Sequence, residues 1–445
     1  DDRRLFSNPP KLNIIALQDS QPERLDAFSQ DLVSTGIAQA DLKELLELFE
    51  HASTFGSLIQ IPASFAKKLP DLETKLNTAV ESGDIFAQQS AQELLPLVQQ
   101  AKLLAKQYDA VIANPPYMGG NGMNTALKDF AKKKFPDSKS DLFSMFIERG
   151  FAWCKDNGFN SMVTMQSWMF LSSYQAMREK LLSNNSLISL IQLPYDGKGP
   201  TAMGINFGVS LAILQKYKIN GLVGSFDCFR YYELTEEGLP RKFPSLNERN
   251  VKTKPDEFQK IPGSPIAYWV SHKVRAIFQD NPCFELFAET RKGVVTGNNE
   301  SYIRFWFEID LQKFGYQSHT RESAKSSHLK WFPCTKGGEF RKWYGNHYDV
   351  INWQNDGDVL QTTKHPEQNR IWATNFNLEQ IFEPAITWTK ISSSNFSARL
   401  QPKGFLFNDA SANAFTDNET YRINLLGYLN NLSSMKNIHF FSIFL

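Results

Sequence analysis

The feature that most constrains the fold of this chain is a short apolar run, residues 108–113, that opens directly into Asn114-Pro115-Pro116-Tyr117. Prolines fix φ and remove N–H donors, so a strand over 108–113 has to end here in a stiff turn. Such a turn offers two acceptors, the side-chain oxygen of Asn114 and the main-chain carbonyl of Pro115. Each can take one hydrogen of a planar amine, whose delocalised lone pair must be localised before the nitrogen attacks a methyl donor. The segment is therefore predicted to hold a planar –NH2 group.

Tyr117 adds an aromatic face beside these two acceptors. A base swung out of a duplex needs a stacking partner, and base-on-aromatic stacking contributes roughly 1–3 kcal/mol. The simpler alternative is a strand followed by a proline-rich turn without chemistry. We interpret the motif as that of an amine methyltransferase, with Asn114, Pro115, Pro116 and Tyr117 as catalytic residues, and the motif by itself leaves the substrate open.

Composition is that of a globular protein with two or three domains, because the chain has 445 residues and 42% of them are hydrophobic. No apolar run is long enough to span a membrane and no leader segment opens the sequence, so we expect a cytoplasmic protein without a membrane partner. The cysteines lack the close pairs that zinc sites use, so no metal is predicted; they are Cys154, Cys228, Cys283 and Cys334. The net charge of +1 neither supports nor excludes a nucleic-acid partner.

Apolar periodicity predicts alternating helices and strands through the first half of the chain. Expected strands cover 12–17, 108–113, 162–165, 187–193 and 207–216, and expected helices cover 27–49, 72–106, 142–154 and 174–182, with Asn157-Gly158 stopping the third helix. This alternation indicates an α/β fold, part of a doubly wound, Rossmann-like, mostly parallel sheet with helices on both faces. Ligands bind such sheets at the carboxyl ends of strands, which is where Asn114–Tyr117 is expected.

Three regions are predicted from these patterns: a catalytic domain over 1–216, a connecting region over 217–283, and a mixed α/β target-recognition domain over 284–445. The connection carries mixed charge and scattered prolines without a sustained period. In the third region aromatic residues such as Trp306, Trp343 and Tyr344 alternate with basic ones such as Arg341 and Lys342, a mixture suited to holding phosphates and base edges. The alternative is that most of these aromatics form the core of that domain.

The order of motifs resembles that of gamma-class DNA adenine-N6 methyltransferases. Asn114–Tyr117 is followed by Asp141-Leu142-Phe143-Ser144-Met145-Phe146-Ile147-Glu148-Arg149-Gly150 and then by Gly158-Phe159-Asn160-Ser161-Met162-Val163-Thr164. Thr296-Gly297-Asn298-Asn299 and Ile386-Thr387-Trp388 resemble elements of the target-recognition region in PglX-type methyltransferases of BREX phage-defence systems. The resemblance implies S-adenosylmethionine as donor, double-stranded DNA as substrate, other BREX proteins as possible partners, and transfer of a methyl group to N6 of a flipped adenine.

The chain departs from the family pattern before Asn114. The family binds its donor through a glycine-rich loop followed by an acidic residue, whereas the segment before Asn114 contains only the isolated glycines Gly36, Gly56 and Gly83. The chain also starts at Asp1 without a methionine. We therefore expect a fragment of a longer protein, which alone methylates poorly or not at all. The apolar tail 438–445 is expected to reflect either truncation or a buried terminal strand.

The resemblance also assigns individual residues to the donor and to the base. The turn 55–59, with Ser57, and the segment Asp141, Leu142 and Phe143 are expected to line the donor pocket. For Asp141 the alternative is a helix N-terminal acid, and for the two apolar residues it is core packing. Phe207, which follows Gly204-Ile205-Asn206, is expected to sandwich adenine against Tyr117, the alternative being a buried strand residue.

Further residues are expected to contact DNA. Lys132 and Lys133 belong to a lysine run that suits phosphate contacts, although most such runs are solvated faces. Asn298 and Asn299 are candidates for reading adenine.

Other functions use the same planar nitrogen. One is methylation of a protein glutamine, and another is methylation of ribosomal RNA. A further alternative is a DNA-binding or phage-sensing subunit in which catalysis is secondary. A nuclease is not supported by any metal-ligand motif in the sequence.

Overall fold

The computed structural model describes residues 12–194, 207–236, 238–243, 247, 249–391 and 395–432. The chain divides into two compact units, Asp1–Gln279 and Asp280–Leu445. Within the described ranges, no helix is both long and apolar enough to cross a membrane. The apolar tail 438–445 and Gly204-Ile205-Asn206 lie outside the described residues.

The first unit begins with a cluster of amphipathic helices. Apolar residues at helical spacing, for example Leu42, Leu45 and Phe49, are fully buried in it. The longest helix starts at a side-chain cap, because Asp84 accepts hydrogen bonds from the N–H groups of Phe86 and Ala87. The helices of this cluster are α1 (Leu25–Asp31), α2 (Gln39–Phe49), α3 (Leu69–Val80) and α4 (Ile85–Ala105).

A six-stranded sheet follows, in the order β1-β2-β4-β3-β5-β6. Its strands are β1 (Tyr108–Ala113), β2 (Cys154–Met165), β3 (Ser186–Leu193), β4 (Val209–Gln215), β5 (Gly224–Cys228) and β6 (Val251–Thr253). The helices between and after them are α5 (Thr125–Lys134), α6 (Leu142–Trp153), α7 (Gln175–Asn184) and α8 (His272–Asp280). A core that includes Phe143, Met162, Leu190 and Ala212 joins α6 and α7 to the sheet.

The predicted α/β fold is confirmed, but the expected mostly parallel pairing is corrected. β1 pairs in parallel with β2, and β3 pairs in parallel with β5. β4 lies between β2 and β3 and runs antiparallel to both, and β6 runs antiparallel to β5. The four strands β1, β2, β3 and β5 consequently point the same way although the sheet is mixed. Residues 217–279, expected to be a connection, contribute β5 and β6 to this sheet and α8 to the first unit.

Two local predictions were also wrong. Residues 12–17 form no strand, and the side chains of Leu12 and Ile14 are largely exposed. A short apolar run becomes a strand only where a neighbouring strand can pair with its backbone N–H and C=O groups. Helix α6 covers nearly the expected 142–154, but it ends at Trp153, so Asn157-Gly158 is not what stops it. Those two residues lie in β2 instead, where Asn157 has φ 63° and the register with β1 shifts between Tyr108 and Ala110.

The second unit contains two four-stranded sheets, β13-β9-β10-β8 and β12-β11-β14-β7. All neighbours pair antiparallel except β13 and β9, which are parallel. The strands are β7 (Glu289–Lys292), β8 (Ile303–Phe305), β9 (Trp331–Thr335), β10 (Asp349–Asn352), β11 (Ala385–Thr389), β12 (Ala398–Gln401), β13 (Leu406–Phe407) and β14 (Ser411–Phe415), with helices α9 (Arg321–Ser327), α10 (Gln354–Thr362) and α11 (Glu419–Leu432). The unit is thus mixed α/β.

Candidate active site

The predicted catalytic turn lies at the carboxyl end of β1, beside β2, to which β1 pairs in parallel up to Ala113 and Met162. Asn114 and Pro116 are exposed, whereas Pro115 is buried. The buried proline anchors the turn, and the exposed carboxamide of Asn114 faces solvent. The acceptor oxygen of an exposed carboxamide is accessible to a ligand.

Tyr117 contacts the side chain of Asn114 directly. Its hydroxyl lies 3.0 Å from Oδ1 of Asn114 and 3.2 Å from the carbonyl oxygen of Val163, and its single hydrogen is shared between these two acceptors. Partial burial, with a smaller contribution from the charge of Asp141, raises the pKa of Tyr117. The phenol therefore stays protonated and remains a hydrogen-bond donor at neutral pH.

Phe207 lies next to Tyr117 but not in the expected arrangement. The two ring centroids are 5.1 Å apart and the rings cross at 78°, an edge-to-face contact. This geometry leaves no slot between the two faces for a base, so the expected sandwich is not present. The structure does bring both predicted residues together, with Phe143 beneath Tyr117 at 6.2 Å between centroids.

Asp141 fixes the loop that follows the catalytic turn. Its Oδ1 accepts hydrogen bonds from the N–H of Phe143 (3.3 Å), which caps α6, and from the N–H of Met118 (3.0 Å). The N–H of Leu142 in turn donates to the carbonyl of Met118 (3.1 Å). The pKa of the Asp141 carboxyl is raised, because the effect of burial exceeds the opposite effect of the backbone N–H donors. The observed contacts of Asp141 are those of an N-cap that also holds the residue after Tyr117.

Leu142 and Phe143 are buried in two different clusters. Leu142 packs with Leu58 and Met145, and Phe143 packs in the core between α6 and the sheet. Both side chains therefore have a packing role beside the turn Asn114–Tyr117. The packing of Leu58 also places the turn that carries Ser57, an exposed residue, beside the start of α6.

Arg149 is a positioning residue that sequence reasoning passed over. Its guanidinium is buried and donates to the carbonyls of Ser57 (3.1 Å), Ile59 (2.7 Å) and Leu104 (3.0 Å). It also stacks on the ring of Trp153 at 4.1 Å. Desolvation lowers its pKa to about 10, so it remains charged at neutral pH. The signal was an arginine within the mostly apolar sequence of α6.

The residues expected to line a donor pocket, the turn with Ser57 and the start of α6, lie close together in the structure. The exposed hydroxyl of Ser57 and the start of α6 stand side by side, and Arg149 holds the turn in place through three carbonyls. Among the residues that the structure describes, no three His, Cys, Asp or Glu side chains are grouped so as to hold a metal ion.

The remaining predicted residues lie elsewhere. Lys132 and Lys133 are exposed in the last turn of α5, where cations complement the helix dipole, and Lys132 pairs with Asp129 at 3.3 Å. In the second unit Oδ1 of Asn298 caps a short helix at Ser301. Oδ1 of Asn299 accepts a hydrogen bond from Thr296 at 2.7 Å. Both asparagines thus have a local structural role.

Comparison with known proteins agrees with these motifs. Residues 19–198 match the family model described as Eco57I restriction-modification methylase. The adenine-specific methyltransferase BrxX of Escherichia coli O9:H4 (strain HS) is 38% identical over 97% of this chain, and the adenine-specific methyltransferase PglX of Lacticaseibacillus casei (strain Zhang) is 34% identical over 98% of it. The chain spans 36% of the length of each of these two relatives.

A solved structure of the Type IIL restriction-modification enzyme MmeI in complex with DNA is also similar. It is 11% identical, and the match covers 92% of this chain and 63% of that one, with a TM-score of 0.43.

Proposed function

Because this chain is a homologue of the BrxX and PglX adenine-specific methyltransferases along nearly its whole length, we propose that it belongs to a site-specific DNA methyltransferase. The reaction transfers a methyl group from S-adenosylmethionine to N6 of an adenine flipped out of double-stranded DNA. The observation that supports this proposal best is the exposed carboxamide of Asn114 at the carboxyl end of β1, next to the ring of Tyr117.

In this reaction Asn114 and Pro115 orient the amine. Oδ1 of Asn114 and the main-chain oxygen of Pro115 each accept one N–H, which turns the nitrogen lone pair towards the incoming methyl carbon. The ring of Tyr117 supplies a stacking face, and Phe207 contacts that ring from its edge. When bound, S-adenosylmethionine supplies an electrophilic methyl group. Asp141 and Arg149 act indirectly, because they hold the segments on either side of the site.

The biological setting is proposed from the same homology. PglX-type methyltransferases suggest a BREX phage-defence role in the cytoplasm, with duplex DNA as substrate and other BREX proteins as partners. We propose Lys132 and Lys133 as contacts to DNA phosphates. Asn298 and Asn299 remain candidates for base contacts through their side-chain –NH2 groups, because the local hydrogen bonds use Oδ1 of each residue.

Asn114→Ala in the full protein tests the proposal. We expect methylation of adenine in duplex DNA to fall by roughly 10²–10³-fold or more, the range seen when one donor or acceptor to the reacting group is lost. Specific DNA binding should stay within about twofold of wild type, since the substitution removes no charge. Methylation is measured with radiolabelled S-adenosylmethionine, and binding by fluorescence anisotropy.

Asn77→Ala is a matched control, because Asn77 is an exposed residue of α3 in the same unit. It should leave both measurements unchanged. Retained methylation in Asn114→Ala would refute the catalytic role. If methylation is lost but protection from phage survives, the protein acts in defence as a DNA-binding or phage-sensing subunit instead.

A further inference from the structure

Gln166, the residue that follows β2, lies beside the segment that carries Phe207. Its backbone N–H donates to the carbonyl of Gly208 (2.9 Å), directly after the last residue pair of β2 and β4, which is Met165 and Val209. Gly208 is the neighbour of Phe207 in the chain. Gln166 therefore extends the contact between the two strands up to the residue next to Phe207.

The side chain of Gln166 also lies against the α-carbon of Gly208. A Cβ added at Gly208 would collide with Cδ and Nε2 of Gln166, and Gly208 itself is buried. Position 208 therefore has room only for a hydrogen atom while Gln166 keeps this conformation. The backbone hydrogen bond and the side-chain contact together hold the Phe207 segment in place.

Two further side chains determine the conformation of the Gln166 amide. Nε2 of Gln192, on β3, donates to Oε1 of Gln166 (2.6 Å), and the hydroxyl of Tyr268 donates to Oε1 of Gln192 (2.8 Å). Burial raises the pKa of Tyr268, so its hydroxyl remains a donor at neutral pH. Because a hydroxyl donor pairs with the oxygen of an amide, Tyr268 sets the orientation of both glutamine amides in turn. We call the series Tyr268, Gln192 and Gln166 the hydrogen-bond chain.

Both ends of the hydrogen-bond chain are anchored in the core of the first unit. The ring of Tyr268 is 3% exposed and stacks on Phe226, with 5.3 Å between the ring centroids. Near the other end, the indole N–H of the buried Trp168 is shared between the hydroxyl oxygens of Thr164 and Ser210, each 3.1 Å away. The turn after β2 is therefore held on both β2 and β4.

Phe207 links the hydrogen-bond chain to the turn Asn114–Tyr117. Its ring makes the edge-to-face contact with Tyr117, and the hydroxyl of Tyr117 donates to Oδ1 of Asn114. A displaced Phe207 would change the plane of the Tyr117 ring, which is the proposed stacking face for the base. Errors of about 1 Å in the placement of groups at a reaction site can reduce a rate by as much as about 10²-fold.

We propose that Gln166 is a positioning residue for methyl transfer, which acts through Phe207 and has its own conformation fixed by Gln192 and Tyr268. The inference rests on the proposed function and extends it to residues outside the turn Asn114–Tyr117. A leucine at position 166 would fill a similar volume without placing an amide in a partly buried site, so packing alone does not account for the glutamine.

A double-mutant cycle in the full protein tests the proposal. Gln166→Leu keeps a similar side-chain volume but removes the amide, and we expect the rate of adenine methylation at saturating DNA and S-adenosylmethionine to fall about tenfold. Phe207→Ala should cause at least as large a fall. Because Gln166 acts through Phe207, adding Gln166→Leu to Phe207→Ala should change the rate by less than about twofold. Gln92→Leu, at an exposed glutamine of α4, is the matched control and should methylate as wild type.

Two results of the cycle overturn the proposal. One is a rate for Gln166→Leu within about twofold of wild type. The other is a pair of effects that multiply in the double variant, because Gln166 would then act independently of Phe207. If Gln166→Leu does not fold, Tyr268→Phe takes its place, since it keeps the buried ring and removes only the first donor of the hydrogen-bond chain. It should lower the rate about threefold in the wild-type background and not at all with Phe207→Ala, and an unchanged rate in both backgrounds overturns the proposal.

Fluorine NMR separates this inference from the proposed function, because it needs neither DNA nor methyl transfer. A trifluoromethyl-phenylalanine in place of Phe207 should give one sharp resonance in the otherwise wild-type protein, and a shifted or split resonance with Gln166→Leu. Gln92→Leu should leave the resonance unchanged. If Asn114→Ala retains methylation, the proposed catalysis fails, while the spectra still decide whether Gln166 places Phe207. Identical spectra with and without Gln166→Leu overturn the positioning role.

Discussion

The turn Asn114–Tyr117 of the first unit and the region between the sheets of the second unit place their polar groups differently. At the turn Asn114–Tyr117 of the first unit, the apolar side chain of Phe143 is buried and the polar residue Asn114 is exposed. In the second unit a polar network lies inside and large aromatic rings are exposed. Gln401 and Asn413, both fully buried, hydrogen-bond to each other at 2.6 Å.

This inner network connects the two sheets of the second unit. Oε1 of Gln401, on β12, also accepts from the hydroxyl of Thr335 on β9 (2.8 Å), and the hydroxyl of Thr387 on β11 donates to Oδ1 of Asn413 (3.2 Å). Hydrogen bonds are directional, so such a network fixes the register between sheets, and each group left unpaired is expensive. The second unit is thus held by a polar network between its sheets in addition to its apolar clusters.

Gln401→Leu should have the largest effect on stability and would test this comparison most directly. It leaves Thr335 and Asn413 without their acceptor and the carbonyl of Glu383 without its donor, so we expect the second unit to lose about 3 kcal/mol of unfolding free energy. Urea unfolding followed by circular dichroism measures this loss. Gln312→Leu makes the same chemical change at an exposed site and should cost less than about 0.5 kcal/mol. Equal effects of the two variants would show that the network is dispensable.

Asp141 gives an intermediate effect in the first unit. Asp141→Ala removes the acceptor for the N–H groups of Met118 and Phe143, so we expect a loss of roughly 1–2 kcal/mol of stability and weaker methylation. Asp141→Asn keeps an acceptor oxygen and removes a charge that burial disfavours, and it should stay closer to wild type in both respects. Methylation that fails equally in both variants, with stability preserved in the second, would instead assign the carboxylate to donor binding.

The smallest expected effect concerns pH and His347, a partly buried residue of the second unit whose ring contacts those of Tyr344 and Phe405. Because the folded pKa of His347 is lowered to about 4, the folded state binds fewer protons than the unfolded state between that value and the ordinary pKa near 6.5. The stability that His347 contributes is therefore lost as the pH falls through this window. Melting temperatures of wild type and His347→Phe, compared from pH 7 to pH 4, should show a shallower decline in the variant. Parallel curves would exclude titration of His347 as a source of acid sensitivity.

Most of the first unit could be predicted from sequence because its signals are local. The strand before Asn114 and the start of α6 at Leu142 were predicted correctly, whereas the single helices expected over 27–49 and 72–106 are each divided into two helices. The antiparallel insertion of β4 was not predicted, because strand order depends on contacts far apart in the chain. The strand expected at 12–17 failed for the related reason that an apolar run does not show whether a neighbour exists to pair with it.

The details of the site were less accessible to sequence reasoning. The turn Asn114–Tyr117 could be located from its motif, whereas the edge-to-face contact between Tyr117 and Phe207 depends on tertiary placement. Arg149 and Arg399 were overlooked because a buried arginine looks the same in sequence as an exposed one. The left-handed backbone of Trp343 was invisible for the same reason, since the residue type argues against it.

The hydroxyl of Tyr117 on Oδ1 of Asn114 has a consequence for selectivity. In the proposed reaction, a nucleobase amine that docks on Oδ1 of Asn114 would replace the hydrogen bond that the Tyr117 hydroxyl already donates to that oxygen, so the exchange itself would contribute little to binding. Selectivity between amines would then depend on how well the second N–H and the plane of the ring fit the site. A base of the correct shape would bind more tightly than a group that is only polar.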